Sequence, residues 1–117
     1  MRKFFRLWFP VIAWASLIFY LSGIPHLSSG LSYDFLLRKA AHVTEYFVLA
    51  GLLHRALKGS FHGREMVFLA LAAGLTLLYG VSDEWHQHFV PGRHASIGDI
   101  LIDAVGIMGF CVKILLK

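Results

Sequence analysis

One cysteine, Cys111, occurs in 117 residues, which excludes an internal disulfide and any zinc site built on cysteines. Charged side chains are scarce, at 15% of the chain. Apolar residues reach 57% and the mean hydropathy is +0.65. Soluble domains hold roughly half or less, and disordered chains hold fewer still, so disorder is excluded. No internal repeat, low-complexity tract or linker interrupts the sequence, and its length suits one domain, residues 1–117. The net charge is +4. The basic residues sit in small groups between apolar runs and form no helical stripe, so no nucleic-acid partner is expected.

What the chain does have is long apolar runs. A helix needs about 20 residues to cross a hydrocarbon core. Four segments approach that length: residues 7–24, 39–57, 66–82 and 97–116. The first holds Pro10 and no charge. The second contains His42 and Glu45, the third Gly74 and Gly80, and the fourth Asp99 and Asp103. Breakers lie between them, at Ser22-Gly23-Ile24-Pro25, Ser28-Ser29-Gly30, Lys58-Gly59-Ser60 and Val90-Pro91-Gly92. These predict an all-α integral membrane bundle of four transmembrane helices. A secretory signal also begins with basic residues and an apolar run. Here the run is longer than a signal core, carries Trp8, Trp14, Phe19 and Tyr20, and precedes no Ala-x-Ala site, so cleavage is not expected.

Loop charge predicts the orientation. Arg2, Lys3, Arg6, Arg55, Lys58, Arg64, Lys113 and Lys117 fall on one side, and Arg38, Lys39 and Arg93 on the other. The positive-inside rule then places both termini in the cytoplasm. The acids distribute oppositely: Asp34, Glu45, Asp83, Glu84, Asp99 and Asp103 belong to the outer half and Glu65 to the inner.

Four crossings bring the start of the second helix, the end of the third and the start of the fourth to one face of the membrane. Each brings ionisable groups. On the second, Arg38, Lys39, His42, Glu45 and Tyr46 fall on overlapping helical faces with His42 at the centre. Glu45 lies about 9 Å below Lys39 by the helical rise, deep enough to require protonation or a cation such as Arg38 or Arg93. If the third helix continues through residues 82–90, Glu84, Gln87 and His88 share a face and Asp83 and His86 the next one. Asp99 and Asp103, four apart, stack on the fourth. Buried ionisable groups within a membrane cost on the order of 3 kcal/mol each and so point to function. A single such pair would be explained by helix association alone; this cluster exceeds that need. His94 is read as solvated, and Trp85 and Phe89 as an interfacial aromatic belt.

At these residues the chain resembles the VanZ-like family of bacterial membrane proteins. The resemblance rests on Lys39-x-x-His42-x-x-x-Tyr46, on Asp83-Glu84-x-x-Gln87-x-Phe89-x-Pro91-Gly92-Arg93, on Asp99 and Gly106, and on Ser22 followed by Pro25. It extends from residue 22 to residue 106. Asp103 stands where the family often has Asn, and Ser22-Gly23 where it often has two serines. The resemblance implies a multi-pass protein of the cell membrane. The family's namesake is associated with resistance to teicoplanin, a lipid-bearing glycopeptide acting at the outer membrane face.

Three functions fit this placement. An enzyme would act on a lipid-linked phosphate or head group of the cell envelope. Arg38, Lys39 and Arg93 would hold the anion, and His42 would be general acid/base or nucleophile. Asp83 or Glu84 would orient it, with Glu45 and Asp99 the remaining catalytic candidates. Tyr46, Gln87 and Asp103 complete the candidate binding set. Glu84, Asp99 and Asp103 form an alternative oxygen-ligand set for a divalent metal. A binding or shielding protein would instead recognise an envelope lipid or amphiphilic antibiotic without turnover. Transport is disfavoured: small four-helix exporters rely on an acid in the first helix, absent here, and the polar groups stop short of the cytoplasmic half.

Overall fold

The computed structural model describes residues 2–22, 34–89 and 97–116. Those residues form four α-helices and no strand: α1 (Arg2–Ser22), α2 (Asp34–Ser60), α3 (Glu65–Gln87) and α4 (Ile97–Leu115). Each apolar run seen in the sequence lies within or largely within one helix. The helices extend beyond the first three runs because hydrogen-bonded turns continue through flanking Arg, Lys and Glu, all good helix formers. α1 thus begins at Arg2 and α2 runs on to Ser60. α1 accommodates Pro10, whose ring nitrogen cannot donate to the carbonyl one turn earlier. The breakers around Pro25 and Pro91, and with them Arg93 and His94, lie outside the described residues.

α2 is the hub. It packs on α1, α3 and α4; α3 also packs on α4 and, over a shorter stretch, on α1, whereas the backbones of α1 and α4 do not approach each other among the described residues. The core follows from this. Ile18, Tyr46, Leu49, Ala56 and Ala72 are almost fully buried around the axis of α2. α4 crosses α2 closely at Gly106. A Cβ there would lie 2.4 Å from the Val43 carbonyl oxygen, so only glycine lets α4 sit this close to α2.

The outward faces are apolar. On α4 the exposed stripe runs Leu101, Val105, Met108, Val112 and Leu115, spaced four and three residues apart as one helical face. α3 exposes Val67, Leu71, Leu75, Leu78 and Trp85, and α1 exposes Phe5, Phe9 and Ile12. α2 adds no large exposed apolar side chain among the described residues. Polar groups, including Thr76, Asp83 and Asp103, are instead buried. This distribution reverses that of a water-soluble bundle, where so large an apolar surface would be unstable.

α1 (over Arg2–Leu21) and α3 are each long and apolar enough to cross a membrane. α2 and α4 have the length but hold charged residues within the span itself, among them Lys39, Glu45 and Arg55 on α2 and Asp99, Asp103 and Lys113 on α4. Several of them, including Asp99 and Asp103, are turned toward neighbouring helices.

At the end where α1 and α3 begin, Trp8 Nε1 donates to Ser60 Oγ at 2.8 Å. Glu65 lies 3.0 Å from both His54 Nε2 and Lys58 Nζ. An open cleft of about 910 Å³ lies there, lined in part by Leu7, Arg55, Lys58, Phe110 and Lys113.

Candidate functional site

The opposite end of the bundle gathers the start of α2, the end of α3 and the start of α4. Helical spacing sets what each contributes. On α2, Lys39, His42 and Tyr46 lie three and four residues apart and so share a stripe. On α3, Asp83, Glu84 and Gln87 are buried while Trp85 and His88 are exposed. On α4, Asp99 and Asp103 stack one turn apart, both buried.

Three contacts join the helices. The Lys39 ammonium meets Asp99 Oδ1. One turn deeper, His42 Nδ1 lies 2.9 Å from Asp103 Oδ1. At the level of Tyr46, its hydroxyl donates to Asp83 Oδ2 at 3.3 Å. Asp103 is 0% exposed, so its pairing with His42 is made inside the protein, where an isolated carboxylate would be very costly.

His42, Glu84 and Asp103 converge. One ligand-capable atom from each lies within 4.8 Å of the others. Asp103 Oδ2 has no hydrogen-bond partner among the described residues. It lies against Gly80, where a Cβ would approach it to 3.2 Å. The glycine on α3 therefore makes the space that the carboxylate of α4 occupies. With one imidazole and two carboxylates, the trio can exchange protons or hold a cation.

Most residues singled out in the sequence meet at this end. Lys39, His42, Tyr46, Asp83, Glu84, Asp99 and Asp103 are linked as described, and Gln87 is buried beside Asp83 and Glu84 on the inward face of α3. Arg38 is exposed, one residue before Lys39. Glu45 is half-buried, and its backbone carbonyl accepts the Trp14 indole N–H at 2.9 Å. Arg93 lies outside the described residues. The expected oxygen trio of Glu84, Asp99 and Asp103 is not the set that closes. Asp99 is held by Lys39, and His42 stands with Glu84 and Asp103. Of the expected face of Glu84, Gln87 and His88, the first two are buried, whereas His88, the C-cap of α3, is exposed although its N–H still donates to the Glu84 carbonyl. His86 is half-buried and stacks on Phe19 with ring centroids 4.3 Å apart.

Three supporting contacts lie outside the sequence reading. Gly80 cradles Asp103, Trp14 ties α1 to α2, and the Tyr79 hydroxyl donates to the Ala15 carbonyl, tying α3 to α1. Tyr79 and Trp14 each carry one polar tip on an otherwise apolar helix, the signal that could have marked them.

No curated protein and no solved structure matches the chain. A family model, VanZ/LLP1, matches residues 4–117, nearly the whole sequence, so the match spans all four helices and every residue of the polar end. The chain belongs to the VanZ/LLP1 family.

Proposed function

We propose that this chain is a four-span protein of the cytoplasmic membrane whose polar end faces outside and binds an anionic lipid-linked phosphate or head group of the envelope. The observation that carries the reading is the contrast between the two surfaces. Outward faces of α1, α3 and α4 are apolar along their length, while the ionisable residues of α2, α3 and α4 are drawn inward at one end. Such an arrangement suits a lipid solvent outside and a polar ligand within. Eight basic residues at the opposite end or its termini support a cytoplasmic location for that end.

Arg38 and Arg93 are the cations for the anion, with Lys39 between the rim and the buried acids. A guanidinium presents a planar fork that matches two phosphate oxygens. Lys39 is shared with Asp99, so it serves more to neutralise the acids beneath than to bind the ligand alone. Below it, the His42–Asp103 pair is a histidine oriented by a carboxylate, the arrangement that general acid/base and nucleophilic catalysis use. Turnover of the bound head group at His42 is therefore the chemistry within reach.

The test is lipid binding by the full chain in nanodiscs. Native mass spectrometry is expected to show anionic phospholipid or lipid-carrier phosphate enriched over zwitterionic lipid. Arg38→Gln and Arg93→Gln are each expected to weaken that preference about tenfold, equivalent to about 1.4 kcal/mol. No preference in the unmodified chain would sink the reading. Lipid product formed by the unmodified chain but not by His42→Ala identifies an enzyme. Binding without product, with teicoplanin protection proportional to protein level, identifies the shielding role instead.

A further inference from the structure

We propose that His42, Glu84 and Asp103 form a binding site for one divalent transition-metal ion, of the zinc or manganese class. Three separate helices each supply one donor, and their ligand-capable atoms lie within 4.8 Å of one another. Modest side-chain rotation draws such atoms to the roughly 2.0–2.2 Å at which zinc is held. The donor set selects the metal. One imidazole with two carboxylates suits zinc, manganese or iron, whereas magnesium and calcium prefer oxygen throughout.

A second observation points the same way. Asp103 is 0% exposed, and its Oδ2 has no hydrogen-bond partner among the described residues. Buried carboxylate oxygens are normally satisfied, and this one retains its capacity to accept a ligand. Gly80 gives this oxygen its room, since a Cβ at that position would come within 3.2 Å of it.

Two further pairs flank the trio. Lys39 engages Asp99, and Tyr46 donates to Asp83. Beside these pairs, His42, Glu84 and Asp103 face one another. A doubly charged ion would suit the two carboxylates of the trio. It would also give an acidic pocket a positive centre able to attract a phosphate oxygen. That last consequence rests on the head-group reading; the metal site itself does not.

The experiment uses the full chain purified in detergent, stripped with a chelator and dialysed against zinc or manganese chloride without added lipid. Elemental analysis is expected to return about one equivalent of one of these metals. His42→Ala and Glu84→Gln should each weaken binding by about 100-fold or more, beyond the 10–100-fold typical of a lost supporting contact. His54→Ala and Asp99→Asn should retain the ion. A folding failure is separated by His42→Cys in a Cys111→Ser background. Loaded with cobalt, it should gain a thiolate-to-metal charge-transfer band that the Cys111→Ser parent lacks. The proposal is overturned if the unmodified chain takes up less than about 0.1 equivalent of either metal. Loss of the ion in His54→Ala but not in His42→Ala overturns it equally. Either failure leaves the lipid-binding measurement standing, because that assay compares head groups and not ions.

Discussion

At the scale of single residues, the decisive pair is His42 with Asp103. Removing one member strands the other in a low-dielectric interior, a loss of about 3 kcal/mol or more, whereas removing both strands neither. His42→Ala and Asp103→Ala are therefore expected to be strongly non-additive. The double variant should be no less stable than the worse single variant, as read by unfolding in mixed micelles. Additive losses would show that the two side chains do not act as a unit. Tyr46→Phe tests the neighbouring contact. It keeps the buried ring and deletes only the hydroxyl that donates to Asp83, so about 1 kcal/mol is expected. Residue types at this end were legible in the sequence because buried-depth acids and a histidine on an apolar helix stand out. Their partners were not. The sequence expects Lys39 to hold an anion; in the structure its ammonium meets Asp99, a partner set by how far α4 is rotated and how deeply it sits against α2.

At the scale of elements, that rotation and depth trace to Gly106. A methyl group there would meet the Val43 backbone 2.4 Å away, and backbone cannot swing aside as a side chain can. Gly106→Ala is expected to cost about 1–3 kcal/mol and to loosen the pairs between α2 and α4. Gly74 provides the internal comparison. Nothing lies within 4 Å of a Cβ there, so Gly74→Ala should be neutral or gain up to about 1 kcal/mol from helix propensity. Similar losses from both, measured by thermal unfolding in nanodiscs, would refute the close crossing. The four helices themselves could be read from apolar runs and breakers. Their ends could not, because charged residues such as Arg2 and Lys58 continue a helix that hydropathy alone would stop. Nor could the register between helices be read, since a glycine at position 106 permits a close approach without naming Val43 as the neighbour.

At the scale of the whole molecule, orientation is the property that joins sequence to function. The four-span reading predicts that single cysteines at His62 and His88, placed in a Cys111→Ser background, label from opposite sides of intact cells. An impermeant reagent added outside should reach position 88 and not position 62. Labelling of both from one side would remove the polar end from the outer face and with it the proposed access to envelope lipids. The inverted surface also explains the composition noted first. Few charges are available to this chain, and most of those at the polar end face other helices or the rim, which leaves the remaining surface to apolar side chains.

The central position of α2 bears on how such a chain is made. α2 emerges during synthesis before α3 and α4, yet Lys39 and His42 have their counterparts on α4, and Tyr46 has its own on α3. In the four-span arrangement, the nascent second helix would enter lipid with its polar stripe still unanswered. Stable insertion of α2 would then be a late event, completed only when the last helix leaves the ribosome, and a chain stopped after α3 would be held poorly by the bilayer.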